Sequence, residues 1–234
     1  MGSCEKVAIL VDGAFYRRRA YCLFGNKNPQ ARAQELIEYC KRHVEAPDGS
    51  YRNDLYRIFY YDCPPMQGNI YHPLLKKPIC MKKSSTYSWS NDFYDALRRK
   101  RKVALRMGEL QEGESGFRLK ARSLKKLMRG EVAIDGLTEQ DFELDLVQKG
   151  VDMRIGLDIA SMAYKKQVTQ IVLIAGDSDF VPAAKHARRE GIDFILDPMW
   201  QGVRPGLNEH IDGLRSWTER SPNPENEPLC VKGL

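Results

Sequence analysis

The sequence lacks the cysteine and histidine patterns that mark zinc sites. Its six cysteines form no CxxC pair, and none of its four histidines lies at zinc-finger spacing from them. No Ser-His-Asp signature surrounds the histidines either. We therefore expect each histidine to be structural or at the surface, and the pattern favours neither a zinc protein nor a serine hydrolase.

The sequence also lacks membrane and export signals. It has no signal-peptide pattern and no apolar run near 18 residues. We therefore expect a soluble cytoplasmic protein with reduced thiols and no membrane partner.

Positive charge is in modest excess, with 37 Lys and Arg against 31 acids, but it is clustered. The clusters are RRR at Arg17 to Arg19, RRKRK at Arg98 to Lys102, and KARSLKKLMR at Lys120 to Arg129. Any one of them is equally consistent with a solvated surface. Together they favour a polyanionic partner, because phosphates attract clustered Lys and Arg.

Short apolar runs alternate with helical patterns along the chain. The runs KVAILVD, DLYRIFYYD, VALRMGELQ, QIVLIAGD and IDFILD predict strands, and helical spacing appears between them, as in MRIGLDIASMAYKKQ. Fully apolar strands that alternate with helices indicate a mostly parallel sheet with helices on both faces. The predicted fold class is therefore α/β.

Aspartates follow two of these strands. Asp12 ends the first predicted strand, and Asp177 and Asp179 end the fourth. Asp158 lies in the first turns of the preceding helix, and Asp152 comes just before that helix. In a doubly wound sheet the first and fourth strands can be neighbours, so these carboxylates can meet at one edge.

Carboxylates that meet repel one another and stay ionised only if a cation neutralises them. Oxygen ligands without Cys or His select Mg²⁺ or Mn²⁺ over zinc, and such ions assist phosphodiester hydrolysis. The alternative is structural. Asp179 and Asp152 can cap helices, and Asp12 can serve a turn with Gly13.

The strings VDGAFY, KGVDMRIGLDIASMAY and AGDSDFVPAAKHARREG together resemble the NYN domain, in its LabA-like branch, within the PIN-like nuclease superfamily. The resemblance is strongest over residues 149–197. It implies a Rossmann-like (PIN-like) sheet and a Mg²⁺- or Mn²⁺-dependent ribonuclease site. Carried over by position, the implied catalytic and metal-binding residues are Asp12, Asp158, Asp177 and Asp179, with Asp152 as an accessory ligand.

The sequence departs from the family at Phe15. Many relatives read Val-Asp-Gly-x-Asn, and the matching position here is Phe15. An apolar ring cannot ligate a metal. Two interpretations stay open, in which Phe15 either stacks on an RNA base or packs inward under the first loop.

These observations predict one NYN/PIN-like domain over residues 1–220 with a basic insertion at roughly 66–135, and a disordered tail over 221–234. The predicted function is a metal-dependent endoribonuclease acting on RNA, single-stranded RNA in particular. Candidate RNA-binding residues are Arg17, Arg18, Lys100 and Arg101, with Phe15. The alternatives are a non-catalytic module that binds RNA, a nucleotide or a protein, and a metal-dependent phosphatase; the chain can also form a homo-oligomer.

Overall fold

The structure is a computed structural model that describes residues 5–45, 53–203 and 205–217. The predicted tail, 221–234, lies outside the described residues. The strands of the described part are β1 Lys6–Asp12, β2 Asp54–Asp62, β3 Asn69–His72, β4 Lys77–Cys80, β5 Val103–Met107, β6 Glu109–Leu110, β7 Gly116–Leu119, β8 Phe142–Asp145, β9 Gln148–Lys149, β10 Gln170–Ile174, β11 Asp193–Asp197 and β12 Gly213–Leu214.

The α-helices separate these strands, and short 3₁₀ turns complete the connections. The α-helices of the described part are α1 Gly13–Phe24, α2 Pro29–Lys41, α3 Ser85–Arg98, α4 Ala121–Met128, α5 Val151–Tyr164, α6 Val181–Arg189 and α7 Pro205–Asn208.

A parallel sheet of six strands forms the centre, in the order β12-β11-β10-β1-β2-β5. Strand β1 pairs with β10 on one side and β2 on the other. The predicted α/β class and the predicted contact between the first and fourth long strands are therefore confirmed. All carboxyl ends of these strands lie at one edge of the sheet, which we call the carboxyl edge.

Helices cover both faces of the sheet. Because side chains alternate along a strand, Val7, Ile9 and Val11 of β1 face the core under α1, α2 and α3, whereas Ala8 and Leu10 face the core under α5 and α6. These five side chains are fully buried. Burial on both faces explains why β1 reads as a continuous apolar run.

Local signals set the helix ends. Asp12 caps the start of α1, and Gly25 ends it with a positive φ of 70°. Asn28 caps α2 through a hydrogen bond from the backbone N–H of Ala31, with Pro29 in the first turn.

A substructure that we call the arm, residues 63–83 and 108–150, extends from the carboxyl edge. It contains three antiparallel pairs, β3 with β4, β6 with β9, and β7 with β8. His72 joins the first and last pairs, with its ring centroid 4.4 Å from that of Phe117 and 5.2 Å from that of Phe142.

The arm differs in its bounds from the predicted insertion of 66–135. Strand β5 pairs with β2 in the central sheet, and α3 packs against α2. Both therefore belong to the main layers, and the arm continues beyond residue 135 to Gly150. The basic composition around α3 hid its apolar face, which includes Phe93 and Leu97.

Cys40, Cys63 and Cys80 carry free thiols, whereas Cys22 is disulfide-bonded. The expectation of fully reduced thiols is therefore wrong at Cys22. In the described part of the chain, no helix is long and apolar enough to cross a membrane.

Candidate acidic site at the carboxyl edge of the sheet

A cavity of about 210 Å³ opens at the carboxyl edge. Four carboxylates line it, from Asp12 at the end of β1, Asp62 at the end of β2, Asp152 in the first turn of α5, and Asp177 after β10. The parallel sheet brings the strand ends together, and the left-handed Gly150 (φ 81°) turns the chain into α5 beside them. Three of the five predicted metal ligands therefore share one cavity.

Asp12 has a strongly perturbed carboxyl group. Its Oδ1 accepts a hydrogen bond from the backbone N–H of Phe15 at 3.1 Å, which caps α1. Burial raises the pKa of Asp12 to about 6, with smaller contributions from the charges of Asp62 and Asp152, and against the opposing effect of that hydrogen bond. A cation in the cavity would offset this cost of ionising Asp12. The capping of α1 alone does not account for such a cost.

The acids that follow β10 influence the carboxyl group of Asp152. Its pKa is raised first by burial, then by the charges of Asp177 and Asp179. Asp179 is exposed, and its backbone N–H contacts Oδ1 of Asp177 at 3.4 Å. The charge of Asp152 also raises the pKa of Asp12, so Asp12, Asp152, Asp177 and Asp179 are linked by their charges.

Asp62, which is not among the predicted site residues, also lines the cavity. Its side chain is completely buried, and Oδ2 lies 2.5 Å from Nη1 of Arg17. Oδ2 further accepts from the hydroxyl of Tyr60 at 3.2 Å, and Oδ1 from the backbone N–H of Cys63 at 2.8 Å. Asp62 is therefore already paired, and its position at the end of an apolar strand was the sequence signal that could have marked it.

Asp158 lies on α5 but is not among the residues that line the cavity. Its Oδ2 accepts a hydrogen bond from the hydroxyl of Tyr61 at 2.8 Å and from Nε of Arg106 at 3.0 Å. Tyr61 does line the cavity. The structure thus does not bring Asp158 to the cavity with Asp12, Asp152 and Asp177, because its carboxylate pairs with Arg106 and contacts the cavity-lining residue Tyr61.

The predicted stacking role of Phe15 is corrected as well. Phe15 is only 3% exposed and lies in the core. A Cβ atom placed on Gly176 would lie 2.5 Å from Cε2 of Phe15, so the ring packs directly against that glycine. The inward-packed interpretation agrees with the structure, and no face of the ring is accessible to a base.

Arg17 is also removed from the candidate RNA surface. It pairs with the buried Asp62 and donates a hydrogen bond from Nη1 to the hydroxyl of Tyr94 at 2.9 Å. Its guanidinium therefore neutralises a buried carboxylate. Its neighbour Arg18 is exposed, and its charge lowers the pKa of Asp12, so Arg18 stays a candidate beside the cavity.

Lys100 and Arg101 lie at the other end of the sheet. They precede β5, whereas the cavity lies where the strands end. At about 3.3 Å per residue, the five residues of β5 separate the two edges by roughly 15 Å. Lys100 Nζ also donates to Oε1 of Gln34 at 2.6 Å. The structure therefore places Lys100 and Arg101 away from the cavity, and their role in steering RNA stays a prediction.

The donor set suits a hard cation in its chemistry. Asp12, Asp152 and Asp177 offer only carboxylate oxygens, which Mg²⁺ and Mn²⁺ prefer. Within the described ranges, however, no three Asp, Glu, His or Cys side chains already converge on one point. Asp152 and Asp177 are exposed residues, whose side chains change rotamer readily, so an ion can gather them around Asp12.

Among solved structures, the chain is similar to a protein of unknown function from Vibrio parahaemolyticus, at 15% identity over 92% of this chain and 93% of that one, with a TM-score of 0.46. It is also similar to a maltogenic α-amylase from Thermotoga neapolitana, at 10% identity over 89% of this chain and 48% of that one, with a TM-score of 0.21. No curated protein matches the sequence.

The NYN domain model matches residues 113–199. The matched range contains Asp152, Asp158, Asp177 and Asp179, and the sheet adds Asp12 from outside it. The resemblance to the NYN domain predicted from the sequence is therefore confirmed over this range, which spans less than half of the chain.

Proposed function

We propose that this protein is a metal-dependent endoribonuclease of the LabA-like branch, acting at the acidic cavity. The observation that carries the proposal is the meeting of Asp12, Asp152 and Asp177 in one cavity, where burial and neighbouring charge hold the pKa of Asp12 near 6. Such convergence is costly without a cation. The NYN domain supports nuclease chemistry, since PIN-like nucleases generally use divalent metals.

Asp12, Asp152 and Asp177 would hold the ion, with Asp179 beside them. When bound, Mg²⁺ or Mn²⁺ polarises the scissile phosphate and lowers the pKa of water. Asp12 fixes the inner end of the site because its Oδ1 is anchored on the backbone N–H of Phe15. Hydrolysis needs no protein nucleophile, because a water oxygen forms the new bond to phosphorus as the ribose oxygen leaves.

Tyr61 brings a neutral hydroxyl to the same cavity. Burial and the Asp158 carboxylate both raise its pKa, so it stays protonated, and it donates a hydrogen bond to Oδ2 of Asp158. Asp158, in turn held by Arg106, fixes the direction of this hydroxyl. We assign Asp158 a positioning role that acts through Tyr61.

The second candidate is a non-catalytic module that binds RNA, a nucleotide or a protein. The observation in its favour is that three ligands do not converge on one point among the described residues. A phosphatase acting on small phosphoesters is a third candidate, since the same carboxylates and ion would suit a phosphomonoester.

One assay separates these candidates. Purified protein is incubated with mixed single-stranded RNA and Mn²⁺, with and without EDTA, and in parallel with a chromogenic phosphomonoester. Cleavage of RNA that EDTA abolishes supports the nuclease. RNA that is retarded on a gel but intact supports the binding module, and turnover of the phosphomonoester alone supports the phosphatase.

A further inference from the structure

We infer that the arm, through a set of lysines on β3–β4 and α4, binds the phosphate backbone of single-stranded RNA and delivers it to the acidic cavity. This inference rests on the proposed function for its substrate class. The arm takes the RNA-binding role predicted for the RRKRK run, Arg98 to Lys102. That run precedes β5 and therefore lies at the amino ends of the strands, away from the carboxyl edge.

The base of the arm lies at the acidic cavity. The arm leaves the main layers after β2 and β5, whose ends carry Asp62 and Met107, and returns at Gly150. Gln148 of β9 and Gly150 line the cavity themselves. A chain bound along the arm therefore meets the carboxylates at the base of the arm.

Charge is segregated along the arm. Residues 66–83 contain four lysines and no acid, and residues 116–130 contain six Lys or Arg and no acid. The acids of the arm fall in other segments, such as 131–145. Such segregation gives these segments a positive potential, which attracts a polyanion.

Six lysines of the arm are exposed, in the β3–β4 turn, on β4, in the 3₁₀ turn that follows β4, and on α4. Their ammonium groups make no hydrogen bond or ion pair within the described part of the chain. These residues, which we call the arm lysines, are Lys76, Lys77, Lys82, Lys83, Lys125 and Lys126.

The RRKRK run differs in this respect. Arg98 pairs with Asp95 at 2.5 Å, Lys100 donates to Gln34, and Lys102 pairs with Asp54 at 3.2 Å. Intramolecular partners compete with phosphate, so a run that is largely paired offers less counterion release than the arm lysines.

A buried contact holds the arm together. The two lysine-bearing parts are joined by His72, which is 3% exposed and lies between Phe117 and Phe142. Its Nδ1 accepts a hydrogen bond from the backbone N–H of Leu75, which fixes the β3–β4 turn. Tyr71 of β3 is 59% exposed on the outer side and offers a ring on which a base can stack.

The test measures RNA binding without cleavage. Fluorescein-labelled single-stranded RNA of 20 nucleotides is titrated with metal-free protein in EDTA, and fluorescence anisotropy gives the affinity at several salt concentrations. Lys125→Gln/Lys126→Gln and Lys76→Gln/Lys77→Gln are compared with the matched control Arg99→Gln/Arg101→Gln. Each variant removes two charges at the surface.

We expect each arm variant to weaken binding and to reduce the slope of log affinity against log salt by about 0.7 per lost phosphate contact. The control variant should bind as the wild type does. Tyr71→Ala should weaken binding at every salt concentration without changing the slope, because it removes stacking rather than charge.

Arm variants that bind like the wild type, or a control variant that loses as much, would overturn the inference, and so would absence of RNA binding by the wild type. Equal affinity for DNA of the same sequence leaves the phosphate contacts in place, since they read charge alone. Cleavage assays with Mn²⁺ test the nuclease proposal separately. Normal RNA binding without cleavage refutes the nuclease proposal and leaves the arm's role in binding intact. Cleavage with the same KM in the arm variants as in the wild type refutes the arm's role alone.

Discussion

Nε of Arg106 lies 3.0 Å from Oδ2 of Asp158, the oxygen that also accepts a hydrogen bond from the hydroxyl of Tyr61. The guanidinium carbon of Arg106 also lies 5.3 Å from the ring centroid of Phe59. An aspartate that family position would assign to a metal is thus paired with an arginine of the chain. This pairing separates the residues that would touch an ion from the residues that orient them.

Asp158→Asn should lower kcat/KM by about tenfold or less. The change weakens one charge-assisted hydrogen bond, worth roughly 1–2 kcal/mol, and a half-exposed ion pair. Tyr61→Phe should have a similar effect, and the double variant should be no worse than either single variant because both act through one hydroxyl. Steady-state kinetics on RNA check this, and an additive loss in the double variant would return Asp158 to an independent role.

Asp12→Asn should stabilise the metal-free protein at neutral pH. The folded-state pKa of Asp12, about 6, lies above its ordinary value of 3.8, so the folded protein binds the proton more tightly. Stability therefore falls as pH rises between about 4 and 6, by up to roughly 3 kcal/mol, and the neutral amide removes this penalty while still capping α1. Urea unfolding in EDTA at pH 4.5 and pH 7.5 measures the effect, and identical pH dependence in variant and wild type would refute it.

Metal affinity should increase as pH rises from 5 to 7. An ion at the cavity must displace the proton from Asp12, whose pKa is about 6, so binding releases protons below that pH. Calorimetric titration with Mn²⁺ at several pH values checks this. The Asp12→Asn variant is the control, and it should bind Mn²⁺ weakly and without this pH dependence.

Arg17→Ala should destabilise the protein by about 3–5 kcal/mol. The substitution leaves the completely buried carboxylate of Asp62 without its cation. Arg101→Ala, at an exposed position, should change the free energy of unfolding by no more than about 0.5 kcal/mol. Urea denaturation of both variants tests the assignment of Arg17 as a structural residue, and equal stability would reopen a role in RNA binding.

Phe15→Ala should cost about 3–5 kcal/mol of stability, because it empties a core position that is 3% exposed. The KM for RNA, measured at a temperature where the variant is folded, should stay unchanged. An increase in KM with little loss of stability would restore the stacking interpretation.

The central sheet was predictable because its signals are local. Strands β1, β2, β5, β10 and β11 are short apolar runs, and the stop of α1 at Gly25 is a single residue with a positive φ. The convergence of acids followed from one topological rule, since β1 and β10 are neighbours in a parallel sheet.

The predictions that differ from the structure concern residues whose contact partners are distant in sequence. Asp62 neutralises Arg17 from 45 residues away, and Gly176 receives the ring of Phe15. Charge clustering marked Lys100 and Arg101 as cations but carried no information about which edge of the sheet they occupy. The pairs β6–β9 and β7–β8 were missed because short strands in a charged segment have little apolar periodicity.

The most direct test of the account is the rate at which wild type and Asp177→Asn cleave a closed circular single-stranded RNA in Mn²⁺. Only an endonuclease opens a circle, and Asp177 is an exposed ligand candidate whose replacement leaves the core untouched. The account predicts linear products with the wild type, none in EDTA, and a loss of two or more orders of magnitude in the variant, equivalent to several kcal/mol of transition-state stabilisation. A circle that stays closed with the wild type, or opens equally fast with Asp177→Asn, would contradict it.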